Sequence, residues 1–375
     1  MRVGIDYRPA VLLRSGIGRY TANLVRHLPE VWPDVRLALF SVFWREHGAK
    51  LAAARLPRHD RVDVAAMRFP GRVLDFLGRW TPLAVETFAD AFDVFHFTDF
   101  VKPPVRARAA VFTLHDLGFR RDEPWHEEAS RERLREVTDR LVARCQVILA
   151  VSETTRRDVQ EHYDLPDDRI IVTPLGVDEI FLEPYERAPQ ERPTIVAVGT
   201  LEPRKNFRRL LEAFEVLLER GREARLVLVG RRGWLCDDVL EKLAAPRLAE
   251  HARWVGEIGD ESLLALMRNA DVIAYPSLFE GFGLPVLEGM ALGVPVLTSD
   301  RGSLREVAGD AAELVDPESV DSIAAGLERL LDDAARREDL ARRGRERAAG
   351  FSWRRCAEAT LEGYRRAISS CEAER

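Results

Sequence analysis

The chain has 375 residues, long enough for two domains of ordinary size rather than one core. Its composition is that of a water-soluble globular protein, and a net charge of −6 does not favour a nucleic-acid partner. Cys145, Cys236, Cys356 and Cys371 are widely spaced with no CxxC pairing, which points to reduced thiols and a cytoplasmic setting rather than to zinc or a disulfide frame. No apolar run approaches the roughly 18 residues that a membrane-crossing helix needs, and the start, MRVGIDYRP, reads as a strand rather than as a leader.

Arg2 to Asp6 opens the fold as a strand. The loop Arg14 to Tyr20 then leads into a helix with Tyr20, Leu24, Val25 and Leu28 on one face. Gly16 and Gly18 would let a ligand approach the backbone at that helix start, although a plain turn is the alternative, and the third glycine of a dinucleotide fingerprint is absent. Further strands are expected at Arg36 to Val42, Val94 to Phe97, Ala110 to Leu114 and Val147 to Val151, with helical patterns between some of them. Such alternation implies a parallel, doubly wound sheet, which binds ligands beyond the carboxyl ends of its strands. His115-Asp116 follow one strand directly and could donate hydrogen bonds to a substrate; a satisfied loop pair is the competing reading. Residues 57 to 81 are less regular. There Val73, Phe76, Leu77 and Trp80 would share a helical face, suited to a core or to a peripheral membrane or lipid-linked acceptor contact.

The first domain is expected to span 1–183, followed by a proline-bearing linker at 184–193. A second domain, 194–352, opens on the strand Thr194 to Gly199. Arg204 and Lys205 then stand between a strand end and a helix start, placed to neutralise a phosphate or diphosphate. Lysine is rare in this chain, only Lys50, Lys102, Lys205 and Lys242 among 56 basic residues, so Lys205 carries more weight than a single arginine. Strands follow at Leu226 to Gly230 and Arg253 to Gly256, and then the stretch DVIAYPSLFEGFGLPVLEGMALGVPVLTSD from Asp271 to Asp300. It reads as a strand from Val272 to Tyr275, a turn through Glu280, Gly281, Phe282, Gly283 and Leu284, and a helix from Pro285 to Leu292 stopped by Gly293. A glycine turn entering a helix is an anion site, since free amides and the helix dipole converge there. Glu280 and Glu288 frame it, a spacing that means little alone, because chance gives on the order of ten acidic pairs at any fixed separation. The last helix, 353–375, is expected to start at a Ser352 cap and to pack back on the first domain.

Taken together, Gly16-Ile17-Gly18, His115-Asp116, Gly199 to Lys205 and the Glu280-to-Glu288 motif resemble the retaining glycosyltransferases of family 4 over essentially the whole chain. The strings Leu201 to Asn206 and Gly233-Trp234-Leu235 are similar to the bacterial mannosyltransferase branch. The resemblance implies a GT-B fold, two Rossmann-like doubly wound parallel-sheet domains facing a central cleft. It implies transfer of mannose from GDP-mannose to a growing, lipid-linked polysaccharide at the cytoplasmic side of a membrane, with neither cofactor nor metal. The alternatives are a UDP-sugar donor or soluble acceptor, a nucleotide-sugar epimerase of the same plan, or a non-catalytic binding partner.

By the same resemblance, the donor diphosphate lies over Arg204, Lys205 and the amides of Gly283 and Leu284, with Gly281 and Phe282 completing the turn. Glu288 accepts hydrogen bonds from the ribose, and Glu280 sits under the transferred sugar. Gly16 closes over the phosphate, and His115 meets the sugar or the leaving group. The catalytic set so implied is Glu280, His115 and Lys205. One departure stands out: Thr200 occupies the place after the strand-end glycine where many relatives carry arginine.

Overall fold

The computed structural model describes residues 1–12, 15–42, 56, 59–67, 83–87, 89–123, 125–188 and 190–373. The described chain forms two compact units. The first holds Met1–Arg120, Glu128–Gly176 and Ser352–Arg375; the second holds Arg121–Glu127 and Val177–Phe351.

In the first unit seven strands, β1 (Arg2–Asp6), β2 (Arg36–Val42), β3 (Val62–Met67), β4 (Val94–Phe97), β5 (Ala109–Leu114), β6 (Val147–Ala150) and β7 (Ile170–Val172), form one parallel sheet. Their order is β3-β2-β1-β4-β5-β6-β7, so the winding reverses between β1 and β4. Among the described residues, the helices of this stretch are α1 (Arg8–Leu12), α2 (Gly16–Val31), α3 (Glu128–Arg144) and α4 (Glu153–Tyr163). The central strands β4, β5 and β6 are buried at every residue. They read as unbroken apolar runs for that reason, since helices cover both faces of a parallel sheet.

The second unit repeats the plan with β8 (Thr194–Val198), β9 (Arg225–Val229), β10 (Ala252–Trp254), β11 (Val272–Tyr275), β12 (Val296–Ser299) and β13 (Glu313–Val315). This sheet is also parallel, in the order β10-β9-β8-β11-β12-β13, and its winding reverses between β8 and β11. Its helices are α5 (Phe207–Glu219), α6 (Asp237–Leu243), α7 (Pro246–Ala249), α8 (Asp260–Arg268), α9 (Leu284–Leu292), α10 (Gly302–Ala308), α11 (Val320–Asp332) and α12 (Ala334–Ala348). The apolar face of α5, with Leu210, Leu211, Phe214 and Leu217, is buried in the core beneath the sheet. The last helix, α13 (Trp353–Ala373), belongs to the first unit and packs on α2 and β5. Ser352 caps it by accepting the Arg355 amide at 3.2 Å.

Three expectations change. The division falls at Gly176 rather than 183, because residues beyond it are tied to the second unit: Phe181 is buried, and Arg268 donates to the Ile180 carbonyl at 2.9 Å. Within the expected linker, Tyr185 and Arg187 are likewise docked on the second unit, through the Arg187–Asp271 ion pair at 2.7 Å and the Tyr185 hydroxyl on the Leu292 carbonyl at 3.2 Å. Within the stretch read as irregular, Val62–Met67 forms the edge strand β3, whose exposed Asp63 and Val64 hide the usual alternation. The amphipathic run Arg68 to Trp80 lies outside the described residues.

Candidate active site

The reversal point between β8 and β11 is where a doubly wound sheet leaves a crevice beyond its strand ends. Two loops leave there. The one after β8 makes a short 3-10 turn at Pro203–Lys205 and ends at Asn206, whose backbone is left-handed (φ 61°). Asn206 donates through its amide to the carbonyls of Pro276 at 2.9 Å and Pro317 at 2.7 Å, while the Leu278 amide bonds the Arg204 carbonyl at 2.9 Å. These bonds fix the β8 loop against the β11 loop and bring residues 70 or more positions apart into contact.

Glu280 lies at the centre, 8% exposed. Its Oε2 accepts from Arg204 Nη1 at 2.8 Å, and its Oε1 accepts from Lys205 Nζ at 2.6 Å and the Tyr275 hydroxyl at 2.9 Å. Lys205 also donates to the Tyr275 oxygen at 2.6 Å. Burial alone would raise the Glu280 pKa, but the charges of Arg204 and Lys205 and the hydrogen bonds outweigh it and hold the carboxyl down at about 2. Burial likewise opposes the Lys205 ammonium, and Glu280 with Tyr275 overcomes that, leaving the lysine more basic than usual. Arg204 has a second buried carboxylate, Glu202, at 2.9 Å. Two cations thus meet two carboxylates, and the charge that the sequence offers to a phosphate is balanced internally.

The helix α9 starts beside this cluster. Gly283 is its N-cap with φ 109°, and a Cβ there would come within 2.5 Å of Leu304 Cδ2, so only glycine fits the turn. Val286 and Leu287 direct their amides to the Gly283 carbonyl, at 3.0 and 3.3 Å, and Pro285 has no N–H to offer. Among the described residues the amides of Gly283 and Leu284 find no protein acceptor, which leaves them for an anion at the positive end of the helix. Ser303 fixes the turn by donating to the Glu280 carbonyl at 2.6 Å. Gly281 and Phe282 are buried in it, with the Phe282 ring edge-on to Phe351 at 5.9 Å. Glu288 lies one turn into the helix and is 1% exposed.

In the first unit Gly16 is the exposed first residue of α2, behind the Ser15 cap. His115 follows β5, 8% exposed, with Nε2 at 3.0 Å from the Thr98 carbonyl. A carbonyl only accepts, so Nε2 carries the proton. Burial lowers the His115 pKa against the opposing pull of the Thr98 bond, Asp99 and Asp116, so the ring is neutral and Nδ1 is an acceptor. Nδ1 can therefore accept a hydrogen bond but not donate one. Asp116 serves the chain, accepting the Gly118 amide at 2.9 Å. Tyr20, from the first turns of α2, stands edge-on to His115 at 5.1 Å and shares a hydrogen bond with Thr113 at 2.7 Å, so the helix that begins at Gly16 is held against the histidine.

Sequence reasoning missed Tyr275, Glu202 and Tyr20. A tyrosine ending a buried strand just before a glycine turn was the available signal for the first. The other two become visible only once the loops and helices are assembled.

A family model described as glycosyltransferase family 4 matches residues 14–180, and one described as glycosyl transferases group 1 matches residues 180–347. The O-antigen chain mannosyltransferase B of Escherichia coli is 33% identical over 388 residues, covering 97% of this chain and 100% of that protein. An MMP alpha-(1->4)-mannosyltransferase of Mycolicibacterium hassiacum is 33% identical over 64% of this chain and 58% of that protein. Among solved structures, sucrose-phosphate synthase from Thermosynechococcus elongatus superposes with a TM-score of 0.75 at 19% identity, covering 99% of this chain and 100% of that one. WaaG, a glycosyltransferase involved in lipopolysaccharide biosynthesis, superposes at 0.67 and 17% identity, covering 96% and 98%. With two parallel Rossmann-like sheets and these matches along both halves, the chain belongs to the family-4 glycosyltransferases and has the GT-B fold.

Proposed function

We propose that the protein is a retaining mannosyltransferase that moves mannose from GDP-mannose to a hydroxyl of a growing, lipid-linked polysaccharide, without metal or cofactor. The observation that carries the chemistry is the buried Glu280 carboxylate, held by Arg204, Lys205 and Tyr275 beside the open amides of α9. The choice of mannose is supported by the O-antigen mannosyltransferase related to this chain over 97% of its length.

The donor diphosphate lies on the Gly283 and Leu284 amides, with Lys205 and Arg204 sharing their charge between it and Glu280. Glu288 takes the ribose hydroxyls. Glu280 faces the transferred sugar, where a fixed carboxylate stabilises the positive character that develops at the anomeric carbon. His115 accepts a sugar hydroxyl through Nδ1. The acceptor oxygen bonds to the anomeric carbon on the face from which the phosphate oxygen departs, and the acceptor proton passes to that departing oxygen. The products are the extended glycan, with anomeric configuration kept, and GDP. Helix amides and side-chain cations carry the leaving charge in place of a metal. Nucleotide sugars are cytoplasmic, so the reaction belongs at the membrane face that presents the lipid-linked acceptor to the cytoplasm.

Thermal-shift ranking of GDP-mannose, UDP-glucose and ADP-glucose tests the donor, since a ligand that binds only the native state raises its melting temperature. GDP-mannose should give the largest rise. A larger rise with UDP-glucose would replace the guanine donor by a uridine one.

A further inference from the structure

Arg121–Glu127 follows first-unit chain in sequence yet belongs to the second unit. It grips the residue beside Glu280. The Arg121 guanidinium lies 4.3 Å from the centroid of the Phe279 ring, and Trp125 stacks on that same ring at 5.8 Å with 20° between the planes. The Trp125 carbonyl accepts from Trp234 Nε1 at 2.6 Å, and His126 stacks on Trp234 at 5.8 Å. Trp125 is 6% exposed and Phe279 8%, so the contact is sealed from water. The Phe279 carbonyl in turn accepts from Arg204 Nη1 at 3.0 Å, the same nitrogen that holds Glu280.

These contacts converge on one short piece of backbone. The ring of Phe279 is held from outside by the segment, and its carbonyl is held from inside by Arg204. Glu280 is the next residue, and its carboxylate reaches Lys205 and Arg204 only if that backbone stays in place. Near-optimal catalysis requires reacting groups held to a fraction of an ångström, and the packing around a site supplies that precision.

We propose that Arg121 and Trp125 are positioning residues for Glu280, with Trp234 locking the Trp125 backbone. This rests on Glu280 acting in glycosyl transfer. Trp125→Ala should lower kcat about tenfold or more while the donor KM stays within about twofold, the pattern of a contribution made in the transition state. Trp125→Phe, which keeps an aromatic face for the Phe279 stack, should recover most of that loss. In Trp125→Ala the amides from Leu278 to Gly283 should also exchange with deuterium faster than in wild type, while those of β11 do not.

A folded Trp125→Ala variant with wild-type kcat and unchanged exchange would overturn the assignment. So would equal losses in Trp125→Ala and Trp125→Phe together with faster exchange throughout the second unit, since that pattern marks a fold contact only. If the wild type transfers no mannose, the functional reading fails separately, and the exchange result alone decides whether the segment holds the Glu280 turn.

Discussion

Glu280 gains two cations and a phenol as partners in a space that water hardly enters, and its properties follow from that. Its folded-state pKa of about 2 lies below the ordinary 4.5, so the carboxylate stabilises the fold at neutral pH. That contribution is complete above about 4.5 and disappears as pH falls toward about 2. Glu280→Gln removes one partner of a buried ion pair and should cost about 3–5 kcal/mol at neutral pH, toward the lower end because glutamine retains hydrogen bonds. The stability gap between wild type and variant should narrow as acid protonates the wild-type carboxyl. Denaturant titrations at neutral pH and across the acid range measure it, and a constant gap would refute the ionised assignment. Arg204 and Lys205 also lose a competitor in this variant. GDP should therefore bind it more tightly than wild type while kcat falls, a divergence that simple damage to the site would not produce. The residue types of this cluster were legible in the sequence, but not their pairing. Lys205 and Glu280 are 75 positions apart, and a glycine turn framed by acids with a separate basic pair reads as a phosphate site, with no hint that Glu280 binds the basic pair itself.

The helix α9 was readable almost to the residue. Proline near its start and glycine after its end are strong punctuation, and Gly293 does adopt the left-handed conformation, φ 67°, that stops a helix. What the sequence could not supply is the reason for Gly283, which is the Leu304 side chain packed where a Cβ would project. Gly283→Ala should therefore lose stability through backbone strain of about 1–3 kcal/mol and through the collision as well. Gly256→Ala is the matched control. Gly256 has φ 73° and nothing within 4 Å of a built Cβ, so it bears strain alone. Unfolding midpoints should place Gly283→Ala clearly below Gly256→Ala, and equal losses would mean that Leu304 moves aside freely. The strands follow a similar rule. Those inside the sheets were found because both faces are buried and the apolar run is continuous. The edge strands β3 and β7 carry no such run and were missed, although the equally short and partly exposed edge strand β10 was found.

Over the whole molecule, the chain does not fill its two units in sequence order. The second unit begins at Val177, takes in Arg121–Glu127 from earlier chain, and ends at Phe351, after which α13 completes the first unit. The return of α13 was anticipated from a capped amphipathic helix at the end of the chain. Its anchor was not: the Tyr364 hydroxyl bonds His96 Nδ1 at 2.8 Å, and Gly176 has no room for a Cβ because the Trp353 amide would lie 2.1 Å from it. Two-unit organisation and parallel sheets came from alternation of strands and helices, which is a property of short windows. The crossing points depend on contacts between distant segments, and no window contains them. Family membership rests on matches along both halves, and the proposed chemistry rests on Glu280 and its partners.

The most direct test is transfer itself. Purified protein given GDP-mannose and a lipid-linked mannoside should release GDP and form a new mannosidic bond. The one-bond carbon–proton coupling at the new anomeric centre, read by NMR, reports its configuration. GDP-mannose carries an α-anomeric bond, so an α-linked product is expected. A β-linked product would contradict retention, and transfer from a UDP-sugar but not from GDP-mannose would contradict the donor.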